Sequence, residues 1–178
     1  RYDEIEIKLS NSINEFTKIK NIYKNIPECQ TNFVYSKEKP KSIKEILGIS
    51  GRIVKAGKDT IVAGDLSYGG SKHVATALLI VSKKYPKIHS AINLKYKKET
   101  ISKIKKLKLV TYDYDRSKEP QDVKIKGSTI VWGIKTAIKN SRKMPDAIYH
   151  KGDFGKEPMI ILFGETPDTI IKKIMKII

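Results

Sequence analysis

The chain has 178 residues, enough for one domain around a single core. Lysine and arginine number 36 against 19 acidic residues, a formal net charge of +17, and the single cysteine, Cys29, excludes an internal disulfide and a cysteine-cluster metal site. No apolar run approaches the roughly 18 residues of a membrane span and no secretory leader pattern is present, so a cytoplasmic protein without a membrane partner is expected.

Ser12-Ile13-Asn14-Glu15 has capping-box spacing, and Ile13, Phe16, Ile19, Ile22, Tyr23 and Ile26 share one helical face, which predicts a helix stopped by Pro27. Thr31–Ser36 reads as a strand, Lys37–Ser42 as a polar loop around Pro40, and Lys44–Leu47 as a short helical turn. Arg52–Ala56 and Thr60–Ala63, joined by Gly57-Lys58-Asp59, read as a hairpin. A glycine-bearing loop, Asp65–Gly70, leads into a helix from Ser71 to about Tyr85, ended by Pro86. Ser90–Tyr96 alternates as a strand, Thr100–Lys108 is a lysine-rich helix, and Leu109–Tyr114 is a further strand before the polar loop Asp115–Asp122. Ser128–Asn140 is helical, Ala147–His150 and Pro158–Phe163 are strands, and the last helix opens on Thr166 as N-cap with Pro167 at its first position. Helices thus alternate with strands while hairpins intervene, which predicts one α/β domain of three layers, α/β/α, with a mixed sheet.

A charge of +17 suits nucleic acid, but only four of the 36 basic residues are arginine: Arg1, Arg52, Arg116 and Arg142. The lysines are spread along the chain, with clusters at Lys103–Lys108 and Lys172–Lys176 that fall on solvent-facing helical positions. No specific nucleic-acid partner is expected. The charge would instead draw in phosphorylated small molecules.

Asp65-Leu66-Ser67-Tyr68-Gly69-Gly70-Ser71-Lys72-His73 carries the strongest local signal. Paired glycines ahead of a helix start let an anion approach free N–H groups, so Gly69, Gly70 and Ser71 are candidate phosphate contacts, with a plain tight turn as the alternative. His73, in the first turn, is placed to hydrogen-bond or protonate a leaving anion, and the helix dipole favours its neutral form. Arg52 and Arg116, in a chain that otherwise uses lysine, point to planar two-point binding of phosphate or carboxylate, or to surface ion pairs. The segment His150-Lys151-Gly152-Asp153-Phe154-Gly155-Lys156-Glu157-Pro158 crowds charge between apolar strands, and Asp153 and Glu157 are candidates to hold a divalent metal that bridges phosphates. His73, His89 and His150 show neither HxH nor HExxH spacing, and no GxSxG elbow is present, which argues against a zinc hydrolase and against covalent catalysis.

Taken in order, Gly51-Arg52-Ile53, Gly70-Ser71-Lys72-His73-Val74-Ala75, Ala91-Ile92-Asn93-Leu94-Lys95-Tyr96, Asp115-Arg116 with Glu119-Pro120, and Gly152 with Gly155-Lys156-Glu157-Pro158-Met159 resemble the archaeal-type thiamine-phosphate synthase family, ThiN. The resemblance runs from about Ile26 to the C-terminus. It implies a fold like the class II aldolase and epimerase group, with a mixed, mostly antiparallel sheet between helical layers. It also implies that hydroxymethylpyrimidine diphosphate and hydroxyethylthiazole phosphate are joined with release of diphosphate, Mg²⁺ assisting. Arg52 and His73 occupy the family's catalytic arginine and histidine positions. The matching motifs imply substrate contacts from Asn93, Lys95, Asp115, Arg116, Glu119, Lys151, Gly152, Asp153, Gly155, Lys156 and Glu157. Lys95 stands where the family has an arginine-like position, which keeps the charge and gives up a two-point contact.

The family domain often follows a pyrimidine kinase domain, so the resemblance implies a covalently linked kinase partner and a chain excised from a longer one. A homodimer is carried as a partner expectation. The competing reading is a non-catalytic thiamine-phosphate-sensing domain of a transcription regulator. An aldolase on the same fold would need a histidine cluster that the sequence lacks.

Overall fold

The first helix begins well before Ser12. In the computed structural model, which describes residues 3–178, α1 spans Glu4–Lys18, because the Asp3 carboxylate accepts from Ile5 N at 2.9 Å and Glu4 and Glu6 favour the positive helix end. Ser12 is therefore buried mid-helix rather than a cap. The apolar spacing runs on to Ile26, but the backbone breaks at Asn21, whose φ of 61° is left-handed. A 3₁₀ turn, Ile22–Asn25, then returns Ile22 and Ile26 to the same core.

The strands are β1 (Phe33–Ser36), β2 (Ile46–Ile49), β3 (Arg52–Ala56), β4 (Asp59–Ala63), β5 (Leu66–Tyr68), β6 (Ser90–Lys95), β7 (Thr111–Asp113), β8 (Ala147–His150) and β9 (Met159–Gly164). The expected helical turn is present as a 3₁₀ turn, Ile43–Glu45, but gives way to β2 at Ile46, and β5 takes up part of the expected glycine loop. Each of these two strands is too short to show a period, and both exist because they pair, Leu47 opposite Tyr68 and Ile49 opposite Leu66. The remaining helices are α2 (His73–Lys84), α3 (Lys98–Lys106), α4 (Gln121–Lys126), α5 (Thr129–Ile138) and α6 (Pro167–Ile177). Thr166 caps α6 as expected, its hydroxyl accepting from Thr169 N at 3.1 Å.

The main sheet has seven strands in the order β5-β2-β1-β6-β9-β8-β7, antiparallel at every junction except β7–β8. Alternate residues feed two cores. Phe33, Ile92, Leu94, Ile160 and Leu162 pack under α1, α3 and α6, whereas Val34, Ala91, Ile148, Ile161 and Phe163 pack under α2 and α5. This is the expected three-layer α/β/α domain with a mixed, mostly antiparallel sheet. The predicted hairpin β3–β4 forms with Arg52 opposite Ala63, but as a separate two-stranded sheet. It is tied to the approach of β1 by hydrogen bonds in both directions between Thr31 and Ile53 (3.1 and 2.8 Å). That tie delivers Arg52 to the edge of the main sheet. No helix among the described residues is long and apolar enough to cross a membrane.

Candidate functional site

On the α2/α5 side of the sheet the strand ends leave a cavity of about 360 Å³. Its floor follows from the register: Asn32 leads into β1, Asn93 lies on β6 opposite Ile161 of β9, and His150 of β8 lies opposite Met159. Arg52 and His73 enter at the β1 side, Arg116 and His150 at the β8 side. From β1 through β6 and β9 to β8 is three strand spacings, roughly 14 Å. The cavity is a trough with a cationic pole at each end.

The floor is stapled by two buried amides. Asn32 donates to Ile49 O (2.9 Å) and accepts from Ile49 N (3.0 Å), mimicking a ladder rung between β1 and β2. Asn93 accepts from Asn32 N (2.8 Å) and donates to Gln30 O (2.9 Å). Asn93 therefore lines the cavity while its polar atoms hold the protein together.

At the first pole Arg52 is half-buried, and its one hydrogen bond to protein runs from Nη1 to the neighbouring Gly51 carbonyl (2.7 Å). Most of its fork is free for a ligand. His73 opens α2 with its side chain unbonded, and burial, then Lys72 and Arg52, hold it below the ordinary histidine range. The neutral bias expected for His73 is thus present, with desolvation as the leading cause.

The glycines do not act as expected. Gly69 N donates to Ile46 O (3.0 Å) and Gly70 N to Ser67 O (3.1 Å), so neither N–H is free for an anion. A side chain at Gly70 would put its Cβ 2.8 Å from the Gly48 carbonyl, so this glycine serves close packing on β2. Ser71 is buried, and its hydroxyl accepts from Ala75 N at 3.4 Å. At the head of α2 the N–H groups of Ser71, Lys72, His73 and Val74 have no protein acceptor.

At the second pole Glu119, whose side chain is 0% exposed, gathers its neighbours. It accepts from Thr129 Oγ1 and from Lys156 Nζ (3.2 Å), and Arg116 Nε lies 3.7 Å away. Burial raises its affinity for a proton, but Thr129, Lys156 and Arg116 outweigh this and hold the carboxyl below its usual range. Glu119 cannot touch a substrate from there; it positions Arg116 and Lys156. Arg116 Nε is buried and makes no hydrogen bond, and the side chain faces the cavity.

The remaining expected contacts lie off the walls. Asp115 is exposed and caps a 3₁₀ turn by accepting from Ser117 N (2.9 Å). Lys95 ends β6 beyond the cavity. Lys151, Asp153 and Gly155 belong to an exposed turn closed by hydrogen bonds between Asp153 and Lys156, with Phe154 fully in solvent at its tip. Gly152 has a left-handed φ of 74°, and an added Cβ would lie 2.4 Å from the Lys156 carbonyl. Its N–H donates to His150 Nδ1 at 3.1 Å, so Gly152 acts through His150.

Glu157 lines the cavity, but its two carboxylate oxygens accept from Glu28 N (2.7 Å) and Cys29 N (3.1 Å). Asp153 is exposed and outside the cavity, and among the described residues no group of three His, Cys, Asp or Glu could hold an ion. The donor set expected for Mg²⁺ therefore does not fit a protein-borne site. Cys29, beside Glu157, has its thiol pushed up to about 11 by burial and then by the Glu157 charge, which leaves it a poor nucleophile.

Sequence reasoning missed His150, Asn32 and Thr129 as wall residues. For His150 a signal existed: it ends an apolar strand two residues before Gly152. A larger open groove of about 960 Å³ lies on the opposite face, between α1, α3 and α6. Its charged walls are lysines and glutamates, without arginine or histidine, so it lacks the planar fork and the titratable donor that phosphate chemistry uses.

The sequence model of the family described as thiamine-phosphate synthase ThiN matches residues 8–176. The chain is 35% identical over 154 residues to the thiamine-phosphate synthase ThiN of Methanothermobacter thermautotrophicus, covering 86% of this chain and 81% of that one. It is 37% identical over 150 residues to the bifunctional thiamine biosynthesis protein ThiDN of Methanocaldococcus jannaschii, covering 84% of this chain but 35% of that protein. The crystal structure of the C-terminal domain of a phosphomethylpyrimidine kinase superposes with a TM-score of 0.90 at 42% identity, covering 98% of each chain.

Proposed function

We propose a reaction for this trough from one premise: the chain belongs to the thiamine-phosphate synthase ThiN family. The domain joins hydroxymethylpyrimidine diphosphate to hydroxyethylthiazole phosphate, giving thiamine phosphate and diphosphate. The observation that carries the reading is the pairing of a free arginine fork, Arg52, with an unbonded histidine, His73, at one end of a cavity that has a second cationic end. Two phosphorylated substrates need two anion contacts and a neutral floor between them.

The chemistry asks for no protein nucleophile. The pyrimidine methylene carbon loses diphosphate, which departs with the bonding electron pair, and the aminopyrimidine ring stabilises the resulting benzylic-type cation. The thiazole nitrogen lone pair then forms the new C–N bond. The protein supplies alignment and stabilisation of charge on the leaving group. Arg52 binds the diphosphate by two points, and the His73 and Val74 N–H groups at the head of α2 add a positive field. A bound diphosphate raises the His73 proton affinity, so the imidazole donates to the oxygen on which charge develops. Met159, Ile161 and Ile130 keep water from the cation.

The sensor reading predicts binding without turnover, and both matched curated relatives bear names of biosynthetic proteins rather than regulators. A linked kinase domain belongs to the same proposal, in the arrangement that the bifunctional relative's name describes. Phosphorus NMR of the purified chain with both substrates and Mg²⁺ is expected to show thiamine phosphate and diphosphate appearing in equal amounts. Saturable binding of both substrates with no product would replace the synthase by the sensor.

A further inference from the structure

We propose that His150 and Arg116 form a second anion subsite, which takes the monoester phosphate of the thiazole substrate while Arg52 and His73 take the diphosphate. This assignment rests on the synthase reading above and adds to it which pole meets which substrate. The starting point is His150, 5% exposed yet on the cavity wall. Its Nδ1 accepts from Gly152 N at 3.1 Å, which places the proton on Nε2. Nε2 makes no hydrogen bond to protein and is not sealed off, so a buried imidazole offers one N–H to the trough.

The ring is fixed as well as oriented. Tyr114 packs on it at a centroid distance of 5.1 Å, and Tyr114 is wedged against Trp132 at 5.8 Å. Arg116 completes the pair, with its buried Nε lacking a hydrogen bond and its position fixed by Glu119. Burial and the Arg116 charge keep the imidazole neutral at working pH, so His150 is a constant donor rather than a proton carrier.

The charges of the two poles differ in a way that separates the substrates. At the β8 side Arg116 and Lys156 share the buried Glu119 carboxylate, which leaves a surplus of one positive charge and one neutral donor. At the β1 side Arg52, Lys72 and His73 stand beside the head of α2, with Glu157 turned to the 28–29 backbone. The stronger pole, with a titratable donor, suits a leaving group that gains charge as the bond breaks. The weaker, fixed pole suits a phosphate that must be held but does not change charge during the reaction.

The test is steady-state kinetics of His150→Phe, which keeps the ring packing, of His150→Gln, which restores an N–H, and of Arg116→Ala. H150F and R116A are expected to raise KM for hydroxyethylthiazole phosphate about tenfold, the scale of a lost hydrogen bond to a charged group. KM for the pyrimidine diphosphate should stay within about twofold, and H150Q should recover part of the loss. With unphosphorylated hydroxyethylthiazole as acceptor, wild type and variants should converge. A rise in KM for the diphosphate instead, or a penalty that persists with the unphosphorylated acceptor, overturns the assignment. If H150F does not fold, R116A decides alone. Should the wild type turn nothing over, the synthase reading fails, and titration with hydroxyethylthiazole phosphate still judges the subsite: weaker binding by the variants supports it, equal binding overturns it.

Discussion

Replacing Arg52 with alanine should lower turnover by about two orders of magnitude, the loss that accompanies removal of one preorganised donor to a developing anion. The melting temperature should hardly move. Arg52 makes its one protein hydrogen bond to the adjacent Gly51 carbonyl, and β3 is pinned by Thr31 and β4 rather than by the guanidinium. His73→Ala is expected to match it in both respects, since the imidazole stands unbonded and exposed at the first position of α2. Lysine at position 52 should recover only part of the loss, because a point charge cannot reproduce the fork. A large fall in melting temperature with turnover per folded molecule preserved would make both residues structural.

A second large effect belongs to pH. His150 in the folded chain has its pKa pushed down to about 4 by burial and then by Arg116, whereas an unfolded histidine titrates near about 6.5. Between those values the unfolded chain binds the proton and the folded chain does not. Stability should therefore be unaffected above about pH 6.5 and decline as pH falls towards about 4, by at most about 3 kcal/mol. His73, also held low, adds a smaller loss of the same sign. Glu119 and Asp3 are depressed carboxylates, so what they contribute is lost only below their ordinary range of about 4, outside this window. Tyr114, which packs on the ring, is pushed up to about 12 by burial and does not titrate there. Urea unfolding at several pH values should show the decline in the wild type and a flatter profile in His150→Gln. An identical slope in both would place the missing proton elsewhere.

Much of the layer order was legible because it rests on long patterned segments. The helices at Ser71–Tyr85 and Ser128–Asn140 and the capped last helix announce themselves by period and punctuation. Strands β2 and β5 do not, since each is stabilised by its partner across the sheet and neither carries enough residues for a period. The α1 start was hidden because Asp3 supplies the cap while the apolar run draws the eye to Ser12.

The site shows the same division. Arg52, His73 and Arg116 could be singled out from residue type and neighbours, and all three reach the cavity. Which polar atoms are already spent could not be read. Asn93, Glu157, Gly69 and Gly70 have chemistry fit for a ligand, but other protein groups occupy it: Gln30 and Asn32, the 28–29 backbone, Ile46 of β2, and for Gly70 the nearby Ser67 of β5. Glu119 was likewise legible as important, but its burial turns a contact into a support. His150 carried a weak signal, and its role as a donor follows when β8 sets it beside β9 and Gly152 fixes its tautomer.

The most direct measurement is a crystal structure with hydroxymethylpyrimidine diphosphate bound to Arg52→Ala or to wild type at low temperature. The diphosphate should lie at the β1 end of the trough within hydrogen-bond reach of His73 and, in wild type, of the Arg52 guanidinium, with the pyrimidine over Asn93 and Ile161. Diphosphate density in the lysine-lined groove between α1, α3 and α6, with the trough occupied by solvent, would contradict the account.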